Sequence, residues 1–426
     1  MTREERFNSI ISKWSSCYNY TAGVVASTGS GKTRGIGMMV LKLKEVKSAV
    51  IIVPTRKLKD DWEQIIIENE ISINTQVIVV NTAIKHEYVT DLLLIDEAHL
   101  ILAETFINVF KTVKFNKLLW LTATIERTDG RHSLLLEKAP IIDTITLEEA
   151  VENKWITPYK LNIVETELNK TERKKLDIID ARFKSLSITL ATTGMNAFKA
   201  ADKYIKYLDL KKYLVAKSTK QIFAIKAIRT ILIKKWGRKP TDTELKTVIL
   251  ERFRKLNAVE KKYYLNLALS SKKYYKTIRD RKTLITHSKN KLKETVNLLK
   301  ILKDVIVFAE EIKVLTNIAI ELDKLGIKYA IYHSKQSKKE RDRQLEKFEN
   351  NEVDILLSAK ALTTGVSINR ISNGIVHTYN SSKVTSIQVI GRLLRISPDK
   401  SLANIFYLLT KDTQEEKWLT KIMQHT

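Results

Sequence analysis

Eight consecutive residues, Ala26-Ser27-Thr28-Gly29-Ser30-Gly31-Lys32-Thr33, carry the most specific chemistry in the chain. They follow an apolar stretch at 23–26 and open a helix-like stretch that runs to about residue 44. Glycines there let backbone N–H groups face phosphate oxygens, and the helix N-terminus adds positive potential. Lys32 can then reach the β- and γ-phosphates of a nucleotide, and the Thr33 hydroxyl can ligate Mg²⁺. This is the phosphate-loop pattern, with Ala26 where the strict form has its first glycine. The competing explanation is an incidental Gly-rich turn. A second group, Asp96-Glu97-Ala98-His99, follows the apolar run 92–95. A carboxylate at the C-terminal end of such a strand lies in the crevice where open α/β sheets bind ligands. Asp96 would hold Mg²⁺ through water, and Glu97 would position and deprotonate an attacking water. The competing explanation is a surface acidic pair capping a helix.

The elements around these residues suit that chemistry. Residues 23–26, 50–53, 76–80, 92–95 and 118–122 read as buried strands alternating with helices, ending near 158–164. Alternation of this kind implies a parallel sheet covered on both faces. The strand pattern then disappears from about 165 to 280, where Lys-, Leu- and Ile-rich stretches read as helices broken at Gly194 and at 237–240. It returns with strands at 305–308, 329–332, 354–358, 374–377 and 404–409, and a helix at 338–348. The expected division is 1–165, an α/β nucleotide-binding domain; 166–280, a basic helical insertion; and 281–426, a second α/β domain.

Bulk properties set the class. A chain of 426 residues with 44% hydrophobic content supports two or three cores. Cys17 is the only cysteine, so no disulfide framework is available, which fits a reducing compartment. The charged start MTREERFNSI is no secretory signal, and no apolar run nears 18 residues, so neither export nor a membrane span is expected. The formal charge of +26 asks for a polyanionic partner. The alternative is coding bias, since the Lys-, Ile- and Asn-rich composition suits a phage or another AT-rich genome.

Further motifs identify a resemblance. Pro54-Thr55-Arg56, Thr122-Ala123-Thr124, the segment 361–368 with Gly365, and Gln388-Val389-Ile390-Gly391-Arg392-Leu393-Leu394-Arg395 occur in the order and spacing of motifs Ia, III, V and VI of superfamily 2 helicases. With the loop and Asp96–His99, the chain resembles the DEAH-box-containing type. Residues 121–130, LTATIERTDG, and 147–158 are similar to the branch of the phage UvsW and eukaryotic XPB helicases, with Ile125 replacing the usual proline.

That resemblance implies two RecA-like domains, ATP and Mg²⁺ as cofactors, and ATP hydrolysis coupled to movement on DNA, single-stranded or branched. It casts Arg392 and Arg395 as arginine fingers with Gln388 assisting, and Gly365 as a nucleotide contact. Thr55, Arg56, Asn81 and Thr82 become grip candidates in the first domain, and Thr363 and Thr364 in the second. An RNA helicase, a translocase that anneals without separating strands, and a non-hydrolysing scaffold are the competing readings. A monomer inside a cell is expected. Ser367 and Asn369 depart from the usual motif V, which puts the tightness of coupling in doubt. No adenine-reading Gln precedes the loop; Trp14, Tyr18 and Tyr20 could contact the base, but core packing is the better explanation for them.

The middle segment adds its own signal. Residues 171–290 hold 31 Lys and Arg against 10 Asp and Glu. Cations that follow phosphates, interleaved with rings that stack on bases, suit a single strand. Lys261, Lys262, Tyr264, Lys272, Lys273 and Tyr275 are the candidates. Otherwise the tyrosines are core and the lysines merely solvated.

Overall fold

Near-continuous apolar strands such as Ser48–Val53 and Val305–Ala309 can be buried on both faces only in parallel sheets flanked by helices. The computed structural model contains two of these. It describes residues 1–101, 106–125, 130, 132–205, 258–359, 370–379, 391, 393–394 and 400–423.

The first sheet has six strands: β1 (Thr21–Ala26), β2 (Ser48–Val53), β3 (Asn74–Val79), β4 (Tyr88–Asp96), β5 (Val113–Thr122) and β6 (Ile141–Ile145), in the order β3-β2-β4-β5-β1-β6. Every neighbouring pair is parallel. The second sheet contains β7 (Tyr159–Thr166), β8 (Val305–Ala309), β9 (Ala330–His333), β10 (Ile355–Ala359), β11 (Asn373–Val376) and β12 (Ala403–Thr410), in the order β7-β12-β11-β8-β10-β9. It too is parallel throughout. The fold class expected from the sequence is the one observed.

Two boundaries differ. The expected end of the insertion at 280 falls inside the helix Ala258–Thr286, and the compact unit runs on to Lys289. The sequence reading ends the first domain at 165, but β7 pairs along its whole length with β12, from Tyr159↔Ala403 to Thr166↔Thr410. The crossover between sheets therefore falls before Tyr159. β6 is also unforeseen; its polar alternation IIDTI belongs to an edge strand with one wet face.

The chain separates into two compact units, Met1–Glu167 with Asn290–Thr426, which holds both sheets, and Leu168–Lys289. The second unit is the helical insertion. Its long helices are Lys170–Ala191 and Ala258–Thr286, with a further helical stretch at 197–205. They pack through Leu190, Ala200, Ala201, Tyr204, Leu267 and Tyr274.

In the second-sheet domain, Lys291 is completely buried and donates to Glu415 Oε1 and Oε2 at 2.6 and 2.8 Å. Glu415 Oε2 also accepts the Thr410 backbone N–H at 2.9 Å. Burial pushes the Lys291 ammonium below its usual range, against the pull of Glu415. Removing one partner of a buried pair leaves the other charge uncompensated, at about 3–5 kcal/mol. Lys291→Met is therefore expected to lower the unfolding free energy by about that much, and Lys291→Met with Glu415→Leu to recover much of it. Urea unfolding of the three proteins measures this; equal stability of the single and double variants would remove the pair from the account.

Candidate nucleotide and nucleic-acid site

β4, β5 and β1 are neighbours, and their carboxyl ends lie side by side: Asp96 is in register with Leu121, and Val25 with Thr122. Parallel alignment thus delivers the phosphate loop, the acidic pair and Thr122 to one edge. The loop itself turns at Gly29 and Gly31, whose φ values of +85° and +94° fall in the left-handed region that suits glycine. The Ser30 hydroxyl donates to Ser27 O at 2.7 Å, and the Ser27 N–H to Ile145 O at 3.0 Å, which pin the loop to the end of β6. Thr33–Gly37 continue as a π-turn into the short helix Met38–Leu41.

The side chains of the two segments converge. Lys32 Nζ lies 3.1 Å from Glu97 Oε1. The Thr33 hydroxyl donates to Asp96 Oδ2 at 3.0 Å. Asp96 Oδ1 accepts the Glu97 N–H at 2.9 Å. Glu97 sits at φ 52°, ψ 49°, a left-handed conformation that costs a residue with a Cβ about 1–2 kcal/mol. Burial, with the neighbouring Glu97 charge adding to it, raises the Asp96 carboxyl above its usual value, while Lys32, Trp62 and Thr33 pull the other way. His99 Nδ1 is 3.0 Å from the Thr122 hydroxyl and 3.4 Å from Glu97 Oε2, so the acidic segment is tied to the end of β5. Asp96 and Thr33 present adjacent hard oxygens, a donor set that fits Mg²⁺, which takes one or two protein oxygens beside phosphate and water.

Several contributors were not anticipated. Trp62, in the helix Arg56–Glu68, is fully buried and donates its indole N–H to Asp96 Oδ2 at 3.0 Å. The helix Arg3–Ser15 lies beside the loop: a Cβ at Gly31 would come 3.6 Å from Phe7 and 3.7 Å from Arg3. Arg6 anchors that helix, pairing with Asp143 at 2.6 Å and Glu149 at 2.6 Å. Ile156 and Thr157 lie at the crossover. A Cβ at Gly29 would meet Ile156 Cγ2 at 3.3 Å, and the Thr157 N–H donates to Leu394 O at 2.8 Å.

Gly391, in the stretch resembling motif VI, reaches the loop. A Cβ built on Gly391 would fall 1.5 Å from the Thr28 hydroxyl and 2.1 Å from Thr28 Cβ. Gln388, Arg392, Arg395, Thr363, Thr364 and Gly365 lie outside the described residues. Of the base-contact candidates, Trp14 is fully buried and donates to Leu118 O at 3.0 Å, so it is core; Tyr20 packs edge-on against it at 5.2 Å, and Tyr18 is exposed.

The grip candidates of the first domain are accessible. Thr55 caps the Arg56–Glu68 helix, accepting the Leu58 N–H at 3.2 Å, and Arg56 is exposed. Asn81 and Thr82 are exposed within the short helix Val80–Ala83 rather than in the expected turn. In the insertion, Lys262, Lys272 and Lys273 are exposed, while nothing is described of the Lys261 side chain. Tyr264 is half-buried and stacks on Tyr204 at 6.1 Å; Tyr275 is half-buried edge-on to Phe198 at 5.9 Å. Arg182, Lys273 and Lys276 line a groove of about 510 Å³ with Ser185, Thr277 and Asp280.

With this geometry in place, comparison with known proteins bears on it. The helicase domain of Hef from Pyrococcus furiosus superposes over 97% of both chains with a TM-score of 0.52 at 16% identity. Both sheet domains are RecA-like. Residues 289–397 match the family described as the helicase conserved C-terminal domain. The DNA 3'-5' translocase XPB2 of Sulfurisphaera tokodaii is 24% identical over 409 residues, spanning 92% of this chain and 78% of the translocase. Among the described residues, no helix is long and apolar enough to cross a membrane.

Proposed function

We propose that this chain is an ATPase of the superfamily 2, DEAH-box type that moves along DNA, with Mg²⁺ as its cation and alternate opening and closing of the two RecA-like domains as its stroke. The observation that carries the proposal is the seating of Gly391 on Thr28, which brings a residue of the second RecA-like domain against the phosphate loop of the first. A charge donated across an interface needs that juxtaposition.

ATP with Mg²⁺ supplies a phosphoryl group for transfer to water. Lys32 neutralises the terminal phosphates, exchanging Glu97 for them. Asp96 and Thr33 hold the cation. Glu97 takes the proton of the attacking water. Arg392 and Arg395, with Gln388, stabilise the charge that spreads over the γ-phosphate oxygens, an effect of roughly 10³–10⁵-fold when an arginine is supplied across an interface. Domain closure then depends on the nucleotide, and release after hydrolysis permits opening. Thr55, Arg56, Asn81 and Thr82 grip the strand in the first domain, and Thr363 and Thr364 in the second.

DNA is favoured as the track by similarity to a DNA 3'-5' translocase, which also suggests that direction for this chain. ATP turnover is to be measured with no nucleic acid, single strand, duplex, fork and RNA. DNA is expected to stimulate it; a rate indifferent to all five sinks the motor, and stimulation by RNA alone reassigns the track. Displacement of a block from the 5' rather than the 3' end of a single strand tests direction.

The insertion extends the track through its lysines. Tyr264 and Tyr275 are engaged with other rings of the insertion, so phosphate contact, not base stacking, carries this reading. Each phosphate contact contributes roughly −0.7 to the log–log salt slope of single-strand binding. Replacing Lys261, Lys262, Lys272 and Lys273 with Ala is expected to flatten the slope by up to about 2–3 units. An unchanged slope in the folded variant would leave the grip to the RecA-like domains alone.

A further inference from the structure

The carboxylate that would hold the cation is oriented by three donors from three parts of the chain. Glu97 supplies a backbone N–H to Oδ1, and Thr33 supplies a hydroxyl to Oδ2. The third is the indole N–H of Trp62, also to Oδ2, from the helix Arg56–Glu68. Of the three donor groups, only the Thr33 hydroxyl is itself a candidate cation ligand. The Thr33 oxygen can ligate a cation while its O–H still donates, whereas the indole N–H is a donor only and its sole partner among the described residues is Oδ2.

The surroundings leave the indole little freedom. Trp62 and Asp96 are 0% and 1% exposed. A Cβ on Gly37, at the end of the turn that follows the loop, would lie 2.5 Å from Trp62 Cη2, so a glycine is needed where the ring passes beneath. An indole that only filled space could rotate its N–H towards any acceptor or be replaced by any apolar group of similar volume. Here the one polar atom of the ring is spent on a buried carboxylate whose ionised form burial disfavours.

We propose that Trp62 is a positioning residue for the Mg²⁺ site: its N–H fixes the Asp96 carboxylate in the orientation that receives the cation. The proposal rests on Asp96 being the cation-holding carboxylate, and the test separates the two. Equilibrium binding of a fluorescent ADP analogue to the full chain is followed as a function of Mg²⁺, in wild type, Trp62→Phe, Trp62→His and Asp96→Asn. Phe keeps a ring without the donor; His keeps a ring N–H. Trp62→Phe is expected to raise the Mg²⁺ concentration for half-saturation about 10–150-fold, the scale of one hydrogen bond to a charged group. ADP affinity without Mg²⁺ is expected to stay at the wild-type value, and Trp62→His to recover part of the loss. A purely structural role lowers affinity equally with and without Mg²⁺.

Asp96→Asn is expected to abolish the Mg²⁺ dependence. If it does and Trp62→Phe matches wild type, the positioning role is overturned and the cation assignment stands. If Asp96→Asn keeps the wild-type Mg²⁺ response, the cation assignment itself fails. Should Trp62→Phe not fold, the wild-type chain labelled with 5-fluorotryptophan decides. One of its six tryptophan ¹⁹F resonances is expected to shift when Mg²⁺ is added to the ADP complex. No Mg²⁺-dependent shift in any of them overturns the proposal.

Discussion

Glu97→Gln is expected to bind ATP at least as tightly as wild type while hydrolysing it roughly 10²–10⁴-fold more slowly, the usual contribution of a positioned general base. Two features set the sign of each effect. The amide cannot take a proton from water, yet it leaves the Thr33–Asp96 pair intact. It also removes the carboxylate that holds Lys32 at 3.1 Å, so the lysine meets incoming phosphates without first breaking an ion pair. Lys32→Ala acts in the opposite direction on binding. It deletes the cation that opposes the mutual repulsion of Asp96 and Glu97, which would raise Asp96 further. ATP binding and turnover are both expected to fail. Phosphate release and fluorescent-nucleotide titration, run on the same preparations, separate the two outcomes. A Glu97→Gln protein that turns over at the wild-type rate would remove Glu97 from the role of base.

Gly391→Ala is expected to lower ATP turnover by about 10–100-fold without touching a catalytic side chain. Its new Cβ would overlap the Thr28 hydroxyl at 1.5 Å and approach Thr28 Cα, a backbone atom, to 3.2 Å. A rotamer change at Thr28 relieves the first contact only. Overpacking of this kind costs about 1–3 kcal/mol, and each 1.36 kcal/mol placed on the closed arrangement is about tenfold in rate. Thr28→Gly in the same chain removes both side-chain atoms that clash, so the double variant is expected to regain part of the rate. The coupling in that cycle is the signature of contact between the two sites. Additive losses would show that residue 391 affects turnover through its own domain rather than against the loop.

The parts of this architecture that were legible in the sequence are those written in local chemistry. SAVIIV, DLLLID and KLLWLT announce strands buried on both faces, and Ala26–Thr33 announces a glycine-built turn at the end of β1. What stayed hidden depends on partners distant in sequence. YKLNIVET alternates like any edge strand, and nothing local says that its neighbour is β12, some 240 residues on. Trp62 reads as the apolar face of an amphipathic helix, because a tryptophan filling a core and one donating to a carboxylate look alike until Asp96 is brought beneath it. Lys291 stands in the run KNKLKE and reads as solvated, yet it is among the most buried side chains of the chain. Arg3 and Phe7 could not be linked to Gly31 by any spacing rule. In each case the missing information is tertiary pairing, which residue type and periodicity do not encode.

The two points where the insertion leaves and rejoins the chain meet one another. β7 ends at Thr166, the insertion spans Leu168–Lys289, and the Asn290 side-chain amide donates to Glu167 O at 2.7 Å. A segment whose ends are clasped this closely is, in topological terms, a loop that happens to be 122 residues long, since 289 − 168 + 1 = 122. Chains tolerate exchange, lengthening and loss at such places, because the flanking backbone is held by its own contacts and the closure entropy grows only slowly with loop length. The clasp therefore makes the insertion a cassette. Lys32, Asp96 and Glu97 all lie in the other compact unit, so replacing this single uninterrupted stretch of chain leaves the backbone around them in place.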